Sequence, residues 1–396
     1  MINKSSPINV VMGGMAALIV VMGIGRFAYT PILPDFQKAV RLSDVMAGFL
    51  ASVNYLGYLL GALGAGFSKW KNGKTFYLRS FLVINILATL AMGLTEHDWL
   101  WCFFRFISGL TSGIVFVLAS SMVLDVLAAA KPSLWSGVYY SGVGIGIFLT
   151  GLIVPVLEHH FSWRGAWIGL GLLSLFIGIF PFLWLKEHAS PGKPSPSSPR
   201  PRSARKRRML PWLIASYGCE GMGYSVSATF LVALVQKIPS LGHHPALSWV
   251  FVGVAAIPSC IVWALAAKTF RHLVALQLAF FTQIVGVILP VFFFNSYGAL
   301  IGALLFGATF MGITTLAVSE GRNLAPHQSS QAIGYLTGVY GIGQMIGPAV
   351  AGVLIAKSGN YHSSLIFATA VLVCGMLLLG AGQIITANSK DRIVDA

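Results

Sequence analysis

Apolar residues run along this chain in long unbroken blocks, unlike the alternation of a strand or the one-sided stripe of a soluble helix. Twelve such runs can be marked, at 9–33, 44–68, 75–95, 99–124, 134–157, 164–185, 211–236, 246–267, 270–294, 297–319, 331–356 and 362–386. At about 1.5 Å of rise per residue, each can cross a hydrocarbon layer of about 30 Å. A backbone in lipid must satisfy its own polar groups, so each run predicts a spanning α-helix. Polar residues collect in the breaks between runs. Arg26 departs from that pattern, because it lies inside the first run, in Gly23-Ile24-Gly25-Arg26-Phe27-Ala28-Tyr29-Thr30-Pro31-Ile32-Leu33-Pro34. A guanidinium there costs about 2.5–3.5 kcal/mol on insertion scales unless it faces protein or a water-filled cavity.

Composition agrees with the pattern. Of 396 residues, 56% are hydrophobic and 9% charged, against about 25% charged in a soluble domain. The net charge of +15 does not point to nucleic acid, because the bases sit in short inter-helix segments. With the N-terminus inside, 19 of the 26 lysines and arginines fall on the inner side, five outside and two (Arg26 and Arg105) within helices. That bias predicts cytoplasmic termini in a bacterial-type inner membrane. Cys102, Cys219, Cys260 and Cys374 lie in or beside apolar runs at no metal-ligand spacing, so no metal site or disulfide framework is expected. No phosphate-cradling loop appears, which excludes ATP drive within this chain. No nucleophile–base pair marks an enzyme.

A Pro/Ser-rich basic stretch at 187–210 divides the chain into six-helix halves, 1–186 and 211–396. Such a stretch cannot bury a core and reads as a cytoplasmic linker. The halves repeat. Gly25-Arg26-x-x-Tyr29 aligns with Gly223-Tyr224-x-x-Ser227 at an offset of 198, and Gly113-Ile114 aligns with Gly312-Ile313 at 199. Gly142-x-Gly144 aligns with Gly341-x-Gly343 at the same 199. The fold class is therefore all-α, with twelve transmembrane helices in two pseudo-symmetric bundles. In such architectures the substrate site lies near the midplane between repeats.

The strings GIGRFAYTPILP and CEGMGYSVSATFL resemble the YbfB/YjiJ-type group of the major facilitator superfamily, and the whole chain is similar to that superfamily. Arg105-Phe-Ile-Ser108-Gly109-x-x-x-Gly113 resembles the superfamily's helix 4 motif, with Ser108 where glutamine is usual. Ser162-Trp163-Arg164 resembles a frequent entry to helix 6. Gly343-x-x-x-Gly347-Pro348 resembles the exporter motif of helix 5, displaced here to helix 11. The helix 2–3 loop, Gly64-Ala-Gly66-Phe-Ser68-Lys69-Trp-Lys71-Asn-Gly73-Lys74, keeps the family's bases and has Ser68 in place of its aspartate. A latch using Asp125 or Glu320 would have to replace it.

Among the acids, only Glu220 sits well inside a run, one turn toward the cytoplasm from the Arg26 level. The family's geometry sets helices 1 and 7 across a central cavity. Two readings stay open: an Arg26–Glu220 ion pair that fixes packing, or a proton site at Glu220 tuned by its surroundings, with Arg26 free to hold an anionic substrate. Arg105 either faces the cavity or snorkels toward the outer interface. Tyr29, Tyr224, Asn54, Tyr140 and Gln344 complete the candidate binding and coupling set. Tyr55, Tyr139, Gln283, Phe310 and Thr314-Thr315 are softer candidates. Gly57, Gly61, Gly109, Gly113, Gly343, Gly347 and Pro348 are candidates for close helix packing, which small residues alone explain, and for pliable contacts between the halves that suit a rocking motion. The expected protein is a monomeric secondary transporter in the lipid bilayer, driven by a proton gradient without a cofactor. It exports a small organic compound by proton antiport. The alternatives are proton-coupled uptake of an organic anion and a non-transporting sensor or scaffold on the same fold.

Overall fold

The computed structural model describes residues 6–68, 73–130, 135–187, 204–325 and 328–388. The loop bases Lys69 and Lys71 and linker residues 188–203 lie outside the described residues. The described residues hold helices and no strand.

The first crossing is built in pieces. Helix α1 (Pro7–Leu18) starts under a Ser6 cap with proline at its first position, where a missing amide costs nothing. It widens into a π-helical stretch, Ile19–Ile24, unwinds over 25–28 and resumes as α2 (Tyr29–Val40). The wide turns are held by Gly25 N–H to Val20 O at 2.8 Å and Phe27 N–H to Met22 O at 3.0 Å. Gly23 lies on the backbone of Gly146, where a side chain would collide.

Next come α3 (Asp44–Phe67), α4 (Lys74–Met92) and α5 (Asp98–Ala130). The run α6 (Trp135–Trp184) has 50 residues. As one rod it would measure about 75 Å, more than twice the bilayer core. It is two helices that meet at Ser162, whose φ of 60° and ψ of −176° break the helical geometry. The second half holds α7 (Ala204–Val235), α8 (Leu247–Phe270), α9 (His272–Phe292), α10 (Ser296–Leu324), α11 (Ser329–Ser358) and α12 (His362–Asn388). With α1 and α2 as one crossing and α6 as two, the described chain crosses twelve times, as the apolar runs predict. One boundary differs from expectation: α7 begins at Ala204 and takes in 204–210, the last residues of the expected linker. Arginine and lysine are good helix formers once a following apolar stretch anchors the helix.

Each half packs mainly on itself. Gly57 and Gly61 of α3 meet the α5 backbone at Phe106 and Leu110, and Gly109 and Gly113 of α5 meet Asn54 and Tyr58 of α3. Gly343 and Gly347 of α11 lie on the Gly218 and Met222 carbonyls of α7. The close helix approach read from these glycines falls inside each half, where they close helix pairs, and not between the halves. The halves meet where α3 touches α11, the first part of α6 touches α8, and α2 touches α7. Other small residues serve there: Gly48 on Pro348, Gly352 on Asp44, Gly144 on Ala256 and Ile257, and Gly151 on Val250.

These contacts are uneven along the membrane normal. Away from the face that carries the termini, α3 and α11 touch backbone to backbone, and Tyr361 donates to Asp44 across the halves at 3.4 Å. Burial and the nearby Asp44 carboxylate both push the Tyr361 hydroxyl's pKa up, keeping it a neutral donor. Toward the terminal face, a side chain added at Gly64, Gly66, Gly334 or Gly338 would meet nothing. The two candidate latch acids make no bond between halves among the described residues: Asp125 is exposed, and Glu320 accepts from Asn323 of its own helix at 3.2 Å. The α3–α11 seam is tight on one side and loosens at these glycines on the other, while α6 and α8 stay in contact there through Gly137 on Ile261.

Candidate functional site

The unwound turn at 25–28 places Arg26 on the pseudo-two-fold axis. Its Nη2 donates to the Tyr224 hydroxyl at 3.3 Å, and Tyr224 is its own repeat partner, 198 residues on. One turn along, Thr30 donates to the carbonyl of Ala228, again its partner at 198. Gln344 Nε2 donates to the same Tyr224 oxygen at 2.6 Å. The Arg26 Cζ lies 4.1 Å from the Tyr58 ring centre, 4.6 Å from Tyr55 and 5.2 Å from Phe27. Desolvated cation–π contacts of this kind each contribute about 2 kcal/mol, which offsets burial without neutralising the charge. Arg26 is 4% exposed, its Nε has no partner, and among the described residues no carboxylate lies within ion-pair distance.

Beside the guanidinium stands a ladder of nearly parallel rings. Tyr217 and Tyr340 stack at 4.3 Å, Tyr340 and Tyr224 at 5.8 Å, Tyr224 and Phe310 at 5.7 Å, and Phe310 and Phe306 at 5.5 Å, with interplanar angles of 15° or less. The Phe27 edge meets Phe310 and its tilted ring meets Trp249. A cation walled by aromatic faces suits a planar anion.

The break in the first crossing is held from behind. The Gly25 carbonyl accepts from Arg105 Nη1 at 3.3 Å and from Ser108 Oγ at 2.8 Å, and the Val21 carbonyl accepts from Ser112 Oγ at 2.7 Å. Asn85 Nδ2 in turn donates to Ser108 O, Thr111 Oγ1 and Ser112 Oγ within 3.0 Å. Arg105 therefore neither snorkels nor faces open cavity. It is buried over the Tyr29 ring, 4.6 Å from its centre, and ties down the turn that carries Arg26. Tyr29 donates to Ala47 O at 2.9 Å, and Asn54 donates to Arg105 O at 2.8 Å. Both join helices beside the site. Tyr140 lies apart, in a recess with Cys260 and Thr315 on the terminal side of the interface.

The ion pair considered between Arg26 and Glu220 does not form. Glu220 is fully buried and accepts from Gln283 Nε2 of α9 at 3.3 Å. The four-residue offset sets its level, but a four-residue step also overshoots a full turn by about 40°, and the Tyr55 and Tyr58 rings hold Arg26 on the α3 side. Sequence reasoning missed Tyr58, Tyr340 and Asn85. The spacing of Tyr55 with Tyr58, and of Tyr217 with Tyr224, puts each pair on one helix face and was the available signal.

The chain matches the family model described as "Uncharacterised MFS-type transporter YbfB" over residues 18–380. It is 22% identical over 372 residues to a gentisate transporter of Corynebacterium glutamicum, covering 90% of this chain and 83% of that protein. It is 23% identical over 365 residues to an uncharacterized MFS-type transporter of Yersinia pestis, covering 88% and 90%. The crystal structure of the nucleoside transporter NupG superposes with a TM-score of 0.74 at 11% identity, covering 94% of this chain and 99% of that one. That likeness extends to the fold alone. This multi-pass membrane protein belongs to the YbfB-type family of major facilitator superfamily transporters.

Proposed function

We propose that the protein carries a small organic anion, with an aromatic carboxylate as the leading class, across a bacterial inner membrane by alternating access coupled to protons. The observation that carries this reading is Arg26, a buried guanidinium with an unpartnered Nε and no carboxylate paired to it among the described residues. A carboxylate would take the free Nε–H and the guanidinium hydrogens beside the Tyr224 contact, and its ring would lie against Tyr55, Tyr58 or Tyr224. The gentisate-transporting relative supports an aromatic acid. The excess of bases on the loops of the terminal face supports cytoplasmic termini, so the sealed face would be periplasmic. Glu220, the one acid deep within a crossing, is the proposed proton carrier. An anion accumulates against a negative interior only with accompanying cations or in exchange for another anion, and with Glu220 as the proposed carrier those cations are protons, so uptake by symport fits the site. The protein is proposed to act as a monomer with no cofactor.

A second reading is export by proton antiport, favoured by Gly343-x-x-x-Gly347-Pro348 on α11. Purified protein in liposomes, given hydroxybenzoates and an imposed pH gradient, separates the two. Substrate accumulating on the alkaline side supports symport, accumulation on the acidic side supports antiport, and indifference to carboxylated substrates removes the anion reading.

A further inference from the structure

Glu220 and Gln283 meet in a way that a carboxylate and an amide cannot sustain. The amide Nε2 donates to Glu220 Oε1 at 3.3 Å. The two remaining oxygens, Glu220 Oε2 and Gln283 Oε1, are both buried and both without a partner. Each is an acceptor when the acid is ionised. Turning the amide over does not help, because one acceptor of the amide then faces one of the carboxylate. A single proton on Oε2 supplies the missing donor. The pair then becomes reciprocal, with N–H donating to one carboxyl oxygen and O–H from the other donating to the amide carbonyl.

The surroundings supply no competing charge. Glu220 is 0% exposed, and an ionised carboxylate without a cation is costly in such a place. Its own helix brings Tyr217 and Tyr224 within electrostatic reach, and α11 brings Tyr340. On the α9 side the partner is Gln283. From α12 the titratable neighbour is Cys374, which meets Cys219. From α10, Phe306 and Phe310 stack on Tyr224 and Thr314 bonds Tyr217. Arg26 makes no bond to this group; it bonds Tyr224, one turn further along α7, and lies within electrostatic reach of Tyr217 and Tyr340.

Building on the proposed proton coupling at Glu220, we propose that Glu220 and Gln283 form a protonated acid–amide pair that clasps α7 to α9 in this conformation. Loss of the proton sets two acceptors face to face and opens the clasp. Glu220 and Tyr224 sit at i and i+4 on one helix, so the clasp bears directly on the residue that holds Arg26. Gln283 is thereby a positioning residue for coupling, without touching substrate.

Infrared difference spectroscopy tests this on the full-length protein. At neutral pH the wild type is expected to show a protonated-carboxyl C=O stretch that disappears in Glu220→Gln, and that moves to the higher frequency of an unbonded acid in Gln283→Leu. Absence of the band from the wild type minus Glu220→Gln difference overturns the proposal, and that comparison needs no variant at 283. A band unmoved by Gln283→Leu overturns it as well. Transport is read separately. Glu220→Gln, an amide in place of the neutral acid, is expected to lose accumulation driven by a pH gradient. If the band is present and wild-type transport ignores the gradient, the pair stands and the proton-coupled reading fails.

Discussion

The first crossing and its repeat, α7, begin from similar sequence and end in different structures. Both carry Gly-x-Gly at equivalent positions, Gly23 and Gly25 against Gly221 and Gly223. The first crossing unwinds there, whereas α7 runs as a helix from Ala204 to Val235. The difference lies in the helices behind them. Arg105, Ser108 and Ser112 of α5 catch the carbonyls that the break frees. Their counterparts 199 residues on are Leu304, Gly307 and Met311, which have nothing to offer a loose carbonyl. Glycine permits a break, but in a membrane only polar neighbours make it affordable. The buried amides of the third crossings diverge in the same way. Asn85 braces the break, and its counterpart at 198, Gln283, holds Glu220.

The largest test of this contrast is Arg26→Ala. Losing a charge-assisted contact of about 1.5–3 kcal/mol is expected to weaken binding of an anionic substrate by about 10- to 150-fold, measured by calorimetry on purified protein. Arg26→Lys keeps the charge but loses the fork and is expected to fall between the two. If a neutral analogue loses as much affinity as the anion, Arg26 holds the fold and not the substrate.

Ser108→Ala with Ser112→Ala attacks the support of the break. Each removes a donor from a freed buried carbonyl, at about 1–3 kcal/mol. Thermal melts in detergent are expected to fall by several degrees. Ser259→Ala is the matched change in the other half, where the hydroxyl bonds only its own helix at Ala256 O. Equal losses in both halves would mean that packing, not carbonyl capture, sets the difference.

Gly48→Leu drives a side chain into the Pro348 carbonyl at the sealed end. It is expected to shift the population toward a state open on that face, read as increased labelling of a reporter cysteine placed there. Tyr361→Phe is the mildest change. It removes one hydroxyl from Asp44, worth about 0.5–1.5 kcal/mol, and is expected to raise the same labelling about 2- to 10-fold. A labelling rate unchanged by either substitution would place the seal elsewhere.

Much of this was legible in the sequence because bilayer thickness and backbone satisfaction leave few choices. The twelve crossings follow from run length, and the repeat makes Tyr224 the counterpart of Arg26 without saying that the two touch. What escaped was azimuth and tertiary partnership. Glu220 was set at the right depth and the wrong neighbour, because linear spacing carries depth more faithfully than direction. The glycine pairs announced close approach without saying to which helix. The break at Gly25 depends on Ser108, Ser112 and Asn85, whose polarity means nothing until the fold brings them behind it.

The two contacts between residues 198 apart have a consequence for how such a site arises. A position on a two-fold axis meets its own copy. In a homodimer of identical halves, an arginine there would face an arginine, and the like charges would push the assembly apart. Covalent fusion of the two halves frees each side of the axis to mutate alone, so a cation can confront a phenol. The asymmetry that gives this protein a ligand-sized charge at its centre is therefore a property that two identical chains cannot encode.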